Sequence, residues 1–485
     1  MSDPLSRLPP LVAAVVAALI AAPSAAMASP FEDPSVGGAV FTGPASPHAT
    51  SIYINPAALG IGIHGHHFYL GGTARIDQLS VDRRLIDPHS GATLPGPTAT
   101  AAPLSPGGAL SYYYVGERIS GGISVHAPFA ERFVDDSPAL RFHSAGGDHY
   151  QWFASTGAAF RLTKRIYFGV GLSLAYSQLH LSLYRDTALE AGNDPTRGID
   201  SDCGGTPCGF ENPLAAQRYD IDVGTGKFTN IFDTKNVALS VGAAVEFIDG
   251  WWVAASFIEP PGGFDELDLP GEVTVHGAPR DGSVVREGNA EVTFRLPHTV
   301  YLGIRGLVSP QFDLLATVRW QNLSVHDALD IRFFGPELRE GIDIPQWYQR
   351  YRGFQDTVQL AVGLERTPYT NLRYGARLLY ETAAVDDEAV TPLAVAGQSI
   401  SLGLGGQVRL AQHLVLTAGY NLAWHPEVTA DPSAFDPMAR LRCVDSGYAY
   451  DQCAAAREGR ALPTAAGDYR KLSHSLMFSI RYDSL

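Results

Sequence analysis

The sequence predicts an all-β fold, a transmembrane antiparallel β-barrel of about 14 strands. Three observations lead there: a long stretch with a two-residue apolar period, an alternation of minimal turns with long loops, and an even number of strand candidates. The clearest stretch is Arg165–Tyr184, RIYFGVGLSLAYSQLHLSLY. Through its first half Ile166, Phe168, Val170, Leu172, Leu174 and Tyr176 are large and apolar, and the residues between them are mostly small or polar. Successive Cβ atoms of a strand point to opposite faces, so this period gives a strand with unlike faces, whereas a helix would spread the same set around its axis. The stretch exceeds the roughly 5–6 residues usual for soluble strands and satisfies the about 9–11 that a tilted membrane-crossing strand needs.

The N-terminus reads as an export signal. Met1–Arg7 is short and weakly basic, Leu11–Ala22 is an apolar run, and Ala26-Met27-Ala28 is an A-x-A cleavage site. That order describes a secretory signal peptide over residues 1–28, with an apolar run too short to remain as a spanning helix. The 485 residues carry a formal charge of −15, which argues against a nucleic-acid partner, whose phosphates demand a basic surface. The four cysteines form two local pairs in loop sequence, Cys203 with Cys208 and Cys443 with Cys453. In an exported protein local disulfides are expected there, and the spacings do not suit zinc; the connectivity stays open.

After the signal, Ser29–Ile63 is rich in small residues and turn formers and too irregular for a strand or an amphipathic helix. Strand candidates then follow at 66–80, 109–116, 119–127, 151–162, 165–184, 236–248, 251–260, 298–307, 311–333, 357–367, 372–383, 400–410, 413–424 and 473–483. The connections alternate. Minimal turns such as Thr163–Lys164, Asp249–Gly250 and Ala411–Gln412 separate pairs of strands. Between those pairs lie long loops, near 81–108, 128–150, 185–235, 261–297, 334–356, 384–399 and 425–472. Short turns on one rim and long loops on the other describe an outer-membrane barrel, with its periplasmic side short and its extracellular side long. Aromatic residues near strand ends, Tyr112–Tyr114, Trp152, Trp251, Trp252, Trp320, Tyr380 and Trp424, fit the girdles of such a barrel.

Several segments resemble one family. INPAAL at Ile54–Leu59, HAPFAERF at His126–Phe133, LPHTVYLGI at Leu296–Ile304 and AAGDYRKLSHSLMFSIRY at Ala465–Tyr482 look like the FadL-type, TodX-like outer-membrane transporters of long-chain fatty acids and other hydrophobic compounds. The resemblance covers nearly the whole mature chain, and Asn55-Pro56-Ala57 is its most specific element. It implies a barrel closed by an N-terminal hatch, residues 29–65, inside a wall formed by residues 66–485. It also implies a third strand kinked to open the lumen sideways. The residues agree in part, since a wide barrel would leak unless the segment before the first strand packed into its lumen. Ala127, Pro128 and Phe129 are the candidates for that opening, because proline lacks a ladder N–H and is confined to edges and bulges. The other reading of Pro128 is that it begins an extracellular loop.

Strand phase points to a second group. If Leu302 and Ile304 face lipid, Arg305 faces inward, and the same test turns Arg319, Glu365, Arg373 and Arg377 inward. A lipid-facing arginine at the midplane would cost about 2–4 kcal/mol. Inward arginines could hold a substrate carboxylate or form salt bridges tying wall to hatch. Phe264 and Leu267, in the long loop 261–297, are candidates for a first capture site on the extracellular rim. His64, His66 and His67 form HGHH without a Cys or carboxylate cluster and are expected as exposed periplasmic histidines, not a metal site. No GxSxG, HExxH or P-loop motif occurs. The expectation is therefore a monomeric, non-enzymatic barrel without a cofactor that passively transports long-chain fatty acids or related hydrophobic molecules across a bacterial outer membrane, in contact with outer-membrane lipids. A diffusion porin without a hatch and a barrel enzyme are the alternatives.

Overall fold

A computed structural model describes residues 40–86, 93–133, 140–187, 216–226, 233–279, 282–339, 344–392, 394–435, 446–447, 460 and 462–484. The signal peptide, residues 29–39 of the expected hatch and all four cysteines lie outside them. A one-turn helix α1 (Ser51–Ile54) and a 3-10 helix at Pro56–Ile61 precede the sheet. The strands begin with β1 (Gly65–Ile86), β2 (Thr93–Ala101), β3 (Leu104–Val115), β4 (Ile119–Phe133), β5 (Gly147–Arg161) and β6 (Ile166–Asp186). Then come β7 (Ala216–Gly224), β8 (Val237–Ile248), β9 (Trp251–Glu259), β10 (Leu267–His276), β11 (Val285–Phe294), β12 (Thr299–Ser309) and β13 (Phe312–Gln321). The series ends with β14 (Ala328–Phe334), β15 (Trp347–Tyr351), β16 (Thr357–Tyr369), β17 (Leu372–Glu381), β18 (Ser399–Ala411), β19 (Leu414–Ala430) and β20 (Gly467–Ser484).

Fourteen of these close an antiparallel barrel. The circuit runs β1, β3, β4, β5, β6, β8, β9, β12, β13, β16, β17, β18, β19, β20, and β20 returns to β1 from His66↔Ser484 to Arg83↔Gly467. Closure gives each wall strand a neighbour on both sides, as a bilayer requires because its core offers no water to an unpaired N–H or C=O. The outer face is apolar and uncovered: Leu70, Leu172, Leu302, Leu378 and Phe478 are all exposed, Phe478 at 63%. The inner face of the same strands carries buried small polar residues, among them Ser111, Ser124, Ser155, Ser173 and Ser475. No described helix is long and apolar enough to cross a membrane; the strands do the crossing.

The expected long loops differ from the structure in an instructive way. Apart from β14, the remaining strands lie in them, and together with β14 they extend the wall on the extracellular side. β7 pairs with the upper half of β6, and β10, β11, β14 and β15 add on in turn. The stretch expected as one strand at 311–333 is two: β13 stays in the wall, the turn Leu323–Val325 follows, and β14 joins the extracellular sheet. The reason is visible in β6. In its lower half the even residues Phe168, Val170 and Leu172 are exposed and apolar; in its upper half the odd residues Leu179, Leu181 and Leu183 are buried and apolar. The apolar phase changes sides where lipid gives way to water outside and protein core inside. That core also takes Tyr219, Ile221, Leu267, Leu269, Val292 and Ile331. A second cluster, in which Ala384, Val385, Val390 and Val395 meet Leu79, Val81 and Tyr469, fills the barrel mouth.

The aromatic girdle also needs correcting at two positions. Trp152 and Trp424 face outward, but Tyr113 is buried and Trp252 packs inward against Tyr167 at 5.8 Å between ring centroids. In paired runs such as Tyr112–Tyr114 and Trp251–Trp252, alternation forces adjacent rings to opposite faces.

Candidate functional site

Residues 40–62 pack against the inner face of the barrel, and the wall is shaped to receive them. Gly122, Gly157 and Gly171 are register partners across β4, β5 and β6. They form a groove without side chains beneath Ile52. A Cβ at Gly157 would stand 2.7 Å from the Ile52 carbonyl oxygen. One at Gly169 would stand 2.2 Å from the Ala57 nitrogen, and one at Gly242 2.0 Å from Asn55 Oδ1. Glycine in a strand interior marks such close approach of another backbone. Asn55, fully buried, caps the 3-10 turn by accepting from the Ala57 N–H at 3.2 Å, and its Nδ2 donates to the Pro44 carbonyl at 2.8 Å. Pro56 opens that turn with its fixed φ. Ser256 Oγ donates to the Ile54 carbonyl at 2.7 Å from the wall side.

The wall changes at β4. Its pairing with β3 runs from Val115↔Ser120 to Ala109↔His126 and stops there, while β3 continues along β1 to Ile76↔Leu104. On its other edge β4 pairs with β5 to Phe133↔Gly147, with a register shift between His126 and Phe129 that leaves Ala127 and Pro128 in a bulge. Beyond His126, β4 is thus held on one edge only among the described residues. Pro128 does not begin a loop; the strand carries on through it to Phe133.

Beside this bulge lies a cavity of about 140 Å³, between Tyr53 and Ile54 of the N-terminal segment and wall residues that include His126, Phe153, Ile258, Leu296 and Tyr301. His126 stacks on the Tyr53 ring at 3.6 Å and on Phe153 at 5.6 Å. The polar side chains at the cavity mostly serve one another or near neighbours. Gln151 donates to Ser177 Oγ at 2.8 Å, Gln321 to Thr299 Oγ1 at 3.1 Å, and Ser173 bonds Ser155 at 2.6 Å. His126 is different: it is 2% exposed and its Nδ1 has no hydrogen-bond partner among the described residues. Sequence reasoning marked the segment beginning at His126 but not this ring.

The four arginines read from strand phase do turn inward, and none of them lines the cavity. Arg305 bonds Asp313 at 3.3 Å, Arg373 bonds Glu365 and approaches Asp313 at 3.9 Å, and Arg319 bonds Glu381 at 2.7 Å. Arg377 Nη1 donates to the Thr42 carbonyl at 3.4 Å. The group ties strands to one another and to the N-terminal segment.

The rim candidates separate. Phe264 is 79% exposed, with its ring centroid 4.5 Å from that of His298, whereas Leu267 is 1% exposed inside the extracellular sheet. Leu267 is a core residue, since β10 begins there and turns it inward. His66 meets Tyr112 Oη at 2.8 Å. His67 is buried, contrary to the expected exposure, between Asp483 and the Ile63 carbonyl, each at 2.9 Å. No cluster of potential metal ligands occurs among the described residues.

Comparison with known proteins agrees with this architecture. A family model described as outer membrane protein transport protein (OMPP1/FadL/TodX) matches residues 14–457. A FadL homologue from Pseudomonas aeruginosa is 14% identical, with 94% of this chain and 98% of that one covered at a TM-score of 0.68. The Pseudomonas putida toluene transporter TodX is 13% identical, with 90% and 94% covered at 0.59. The Ralstonia pickettii toluene transporter TbuX is 14% identical, with 93% and 98% covered at 0.56. At these identities the structures speak for the fold alone. No curated protein matches the sequence.

Proposed function

Because this chain belongs to the OMPP1/FadL/TodX family of outer membrane transport proteins, we propose that it moves compact apolar compounds inward through a plugged barrel with a side opening. As a member it is a bacterial outer-membrane β-barrel that transports hydrophobic compounds and is not an enzyme. The finer reading adds a substrate class, a hatch and an exit. The observation that carries it is the cavity of about 140 Å³ between the N-terminal segment and the β4 bulge. An apolar cavity of about 150 Å³ is known to stay dry and take up benzene. No Arg or Lys lines this one among the described residues, so a long-chain carboxylate would find neither the length nor a counter-charge there.

In this scheme residues 29–65 act as the hatch, with Asn55-Pro56-Ala57 as its fixed turn. Solute leaves sideways past Ala127, Pro128 and Phe129, where β4 has lost its β3 partner. Phe264 supplies first capture on the rim, and a single chain suffices. Arg305, Arg319, Arg373 and Arg377 hold wall and hatch together instead of binding solute. The test is equilibrium binding of toluene and of a long-chain fatty acid to the purified protein, paired with planar-bilayer conductance. Binding of toluene by an ion-tight barrel is expected. Tighter binding of the fatty acid would overturn the substrate class, and steady large conductance would return the chain to the porin reading.

A further inference from the structure

We infer that His126 makes this cavity selective for a neutral compound with one hydroxyl group on a compact apolar body, a phenol in preference to the plain arene. The inference rests on the transport reading above and adds a polar contact to it. His126 is fixed from both sides, by the Tyr53 ring at 3.6 Å and the Phe153 ring at 5.6 Å. The ring therefore has little freedom to seek a partner elsewhere. Its Nδ1 is buried without one among the described residues, and the ring lines the cavity. Buried polar atoms in folded proteins are almost always bonded, so an orphan beside a cavity points to a ligand.

The neighbouring polar groups sharpen the choice. Gln151, Gln321, Thr299 and Ser173 already hold hydrogen bonds with protein partners, and among the lining residues His126 Nδ1 is the buried side-chain atom without one among the described residues. A hydroxyl suits it in either tautomer, because O–H can donate to a bare nitrogen and its oxygen can accept from N–H. A carboxylate can only accept, and it would bring an unpaired charge into an apolar space. A plain arene fills the volume and leaves the nitrogen unbonded. One neutral hydrogen bond of this kind corresponds to about a 3- to 10-fold preference.

The experiment is equilibrium dialysis of the purified full-length barrel in detergent against labelled p-cresol, toluene and benzoate, referenced to protein-free micelles. The wild type is expected to bind p-cresol about 3- to 10-fold more tightly than toluene and to bind benzoate most weakly. His126→Phe keeps a stacking ring and is expected to bring the cresol-to-toluene ratio to about 1, whatever the absolute affinities; His126→Gln is expected to keep a preference for cresol. Heat-modifiable migration on a gel reports whether each variant folds. If His126→Phe does not fold, p-xylene with the wild type decides, since it keeps the shape of p-cresol and lacks the hydroxyl; binding weaker than p-cresol upholds the inference and equal binding overturns it. A wild-type ratio near 1, an unchanged ratio in His126→Phe, or benzoate as the tightest ligand would overturn it while leaving transport of apolar compounds standing. Absence of binding by all three would sink the transport reading and the inference with it.

Discussion

The main-chain N–H of Phe41 donates to Glu365 Oε1 across 3.0 Å, joining the N-terminal segment to the wall strand β16. Phe41 has φ of 76°, a strained value for a residue with a side chain. The Arg373 guanidinium lies 4.9 Å from the centre of its ring and also bonds Glu365. One carboxylate thus holds a strained backbone and a cation in place together. Replacing Glu365 by Ala leaves the arginine and the amide without it, a loss of about 3–5 kcal/mol for a broken buried pair. The expected result is a barrel that inserts normally, since the ladder does not depend on Glu365, but leaks ions. Planar-bilayer conductance equal to wild type would mean that the contact does not hold the segment.

The glycine groove makes a second, independent demand on the same segment. Gly169→Val places side-chain atoms where the Ala57 nitrogen lies 2.2 Å from an added Cβ, so wall and segment cannot both keep their positions. Deleting Ser29–Leu59 removes the conflict along with the segment. Both changes are expected to leave a heat-modifiable barrel, raise ion conductance and weaken toluene binding. A truncated protein as tight to ions as the full chain would make the segment a periplasmic tail, with an extracellular segment closing the pore.

Phe264 and Leu267, close in sequence, should behave oppositely. Leu267→Ala removes a fully buried side chain from the extracellular sheet, costing about 2–5 kcal/mol and exposing that sheet to protease. Phe264→Ala removes an exposed ring, with stability within about 0.5 kcal/mol of wild type. Its expected effect is slower uptake at low solute concentration. Limited proteolysis of whole cells and initial uptake rates distinguish the two, and equal protease resistance in both variants would contradict the burial of Leu267.

How much of this was legible in the sequence follows from what each residue had to satisfy. The wall strands read clearly because Phe168, Val170 and Leu172 must face lipid while their neighbours cannot. The extracellular strands did not, because the pattern in β6 changes sides at Leu179 and the residues beyond it obey a protein core instead of a bilayer. A change of apolar phase within one strand was the available signal. The inward phase of Arg305, Arg319, Arg373 and Arg377 was legible; their partners Asp313 and Glu381 were not, since pairing across strands depends on register. Gly157, Gly169 and Gly242 carried a hint of close approach, but only the fold shows that Ile52, Ala57 and Asn55 approach them. His126 gave no sign of its role, because an unpartnered nitrogen is a property of surroundings.

Acidity should loosen the extracellular sheet. His326 lies between β13 and β14, its Nδ1 donating to the Arg295 carbonyl at 2.6 Å and its Nε2 accepting from Arg352 Nη1 at 3.0 Å. Burial, and then the Arg352 charge, push this imidazole well below its ordinary value. The unfolded sheet therefore binds the proton more readily than the folded one. Stability is fully present above the ordinary imidazole value near 6.5 and falls as the pH drops below it. Protonation would also set two cations against each other at Nε2. Protease sensitivity of the region around β14 is expected to rise between about pH 7 and pH 5, and less so in His326→Gln; a flat profile would contradict the buried neutral ring.

The central claim, passage of an apolar solute out through the wall at the β4 bulge, is tested most directly by deleting Pro128. Removing one residue there cancels the register shift between His126 and Phe129 and lets β4 extend its pairing. The measurement is the initial rate of labelled toluene uptake by cells displaying equal amounts of wild-type and deleted barrel. The account predicts that the deletion lowers uptake to the level of cells without the protein, while the purified variant still binds toluene and stays ion-tight. Uptake equal to wild type in a folded, correctly inserted variant would contradict it and send the solute out through the periplasmic end of the barrel.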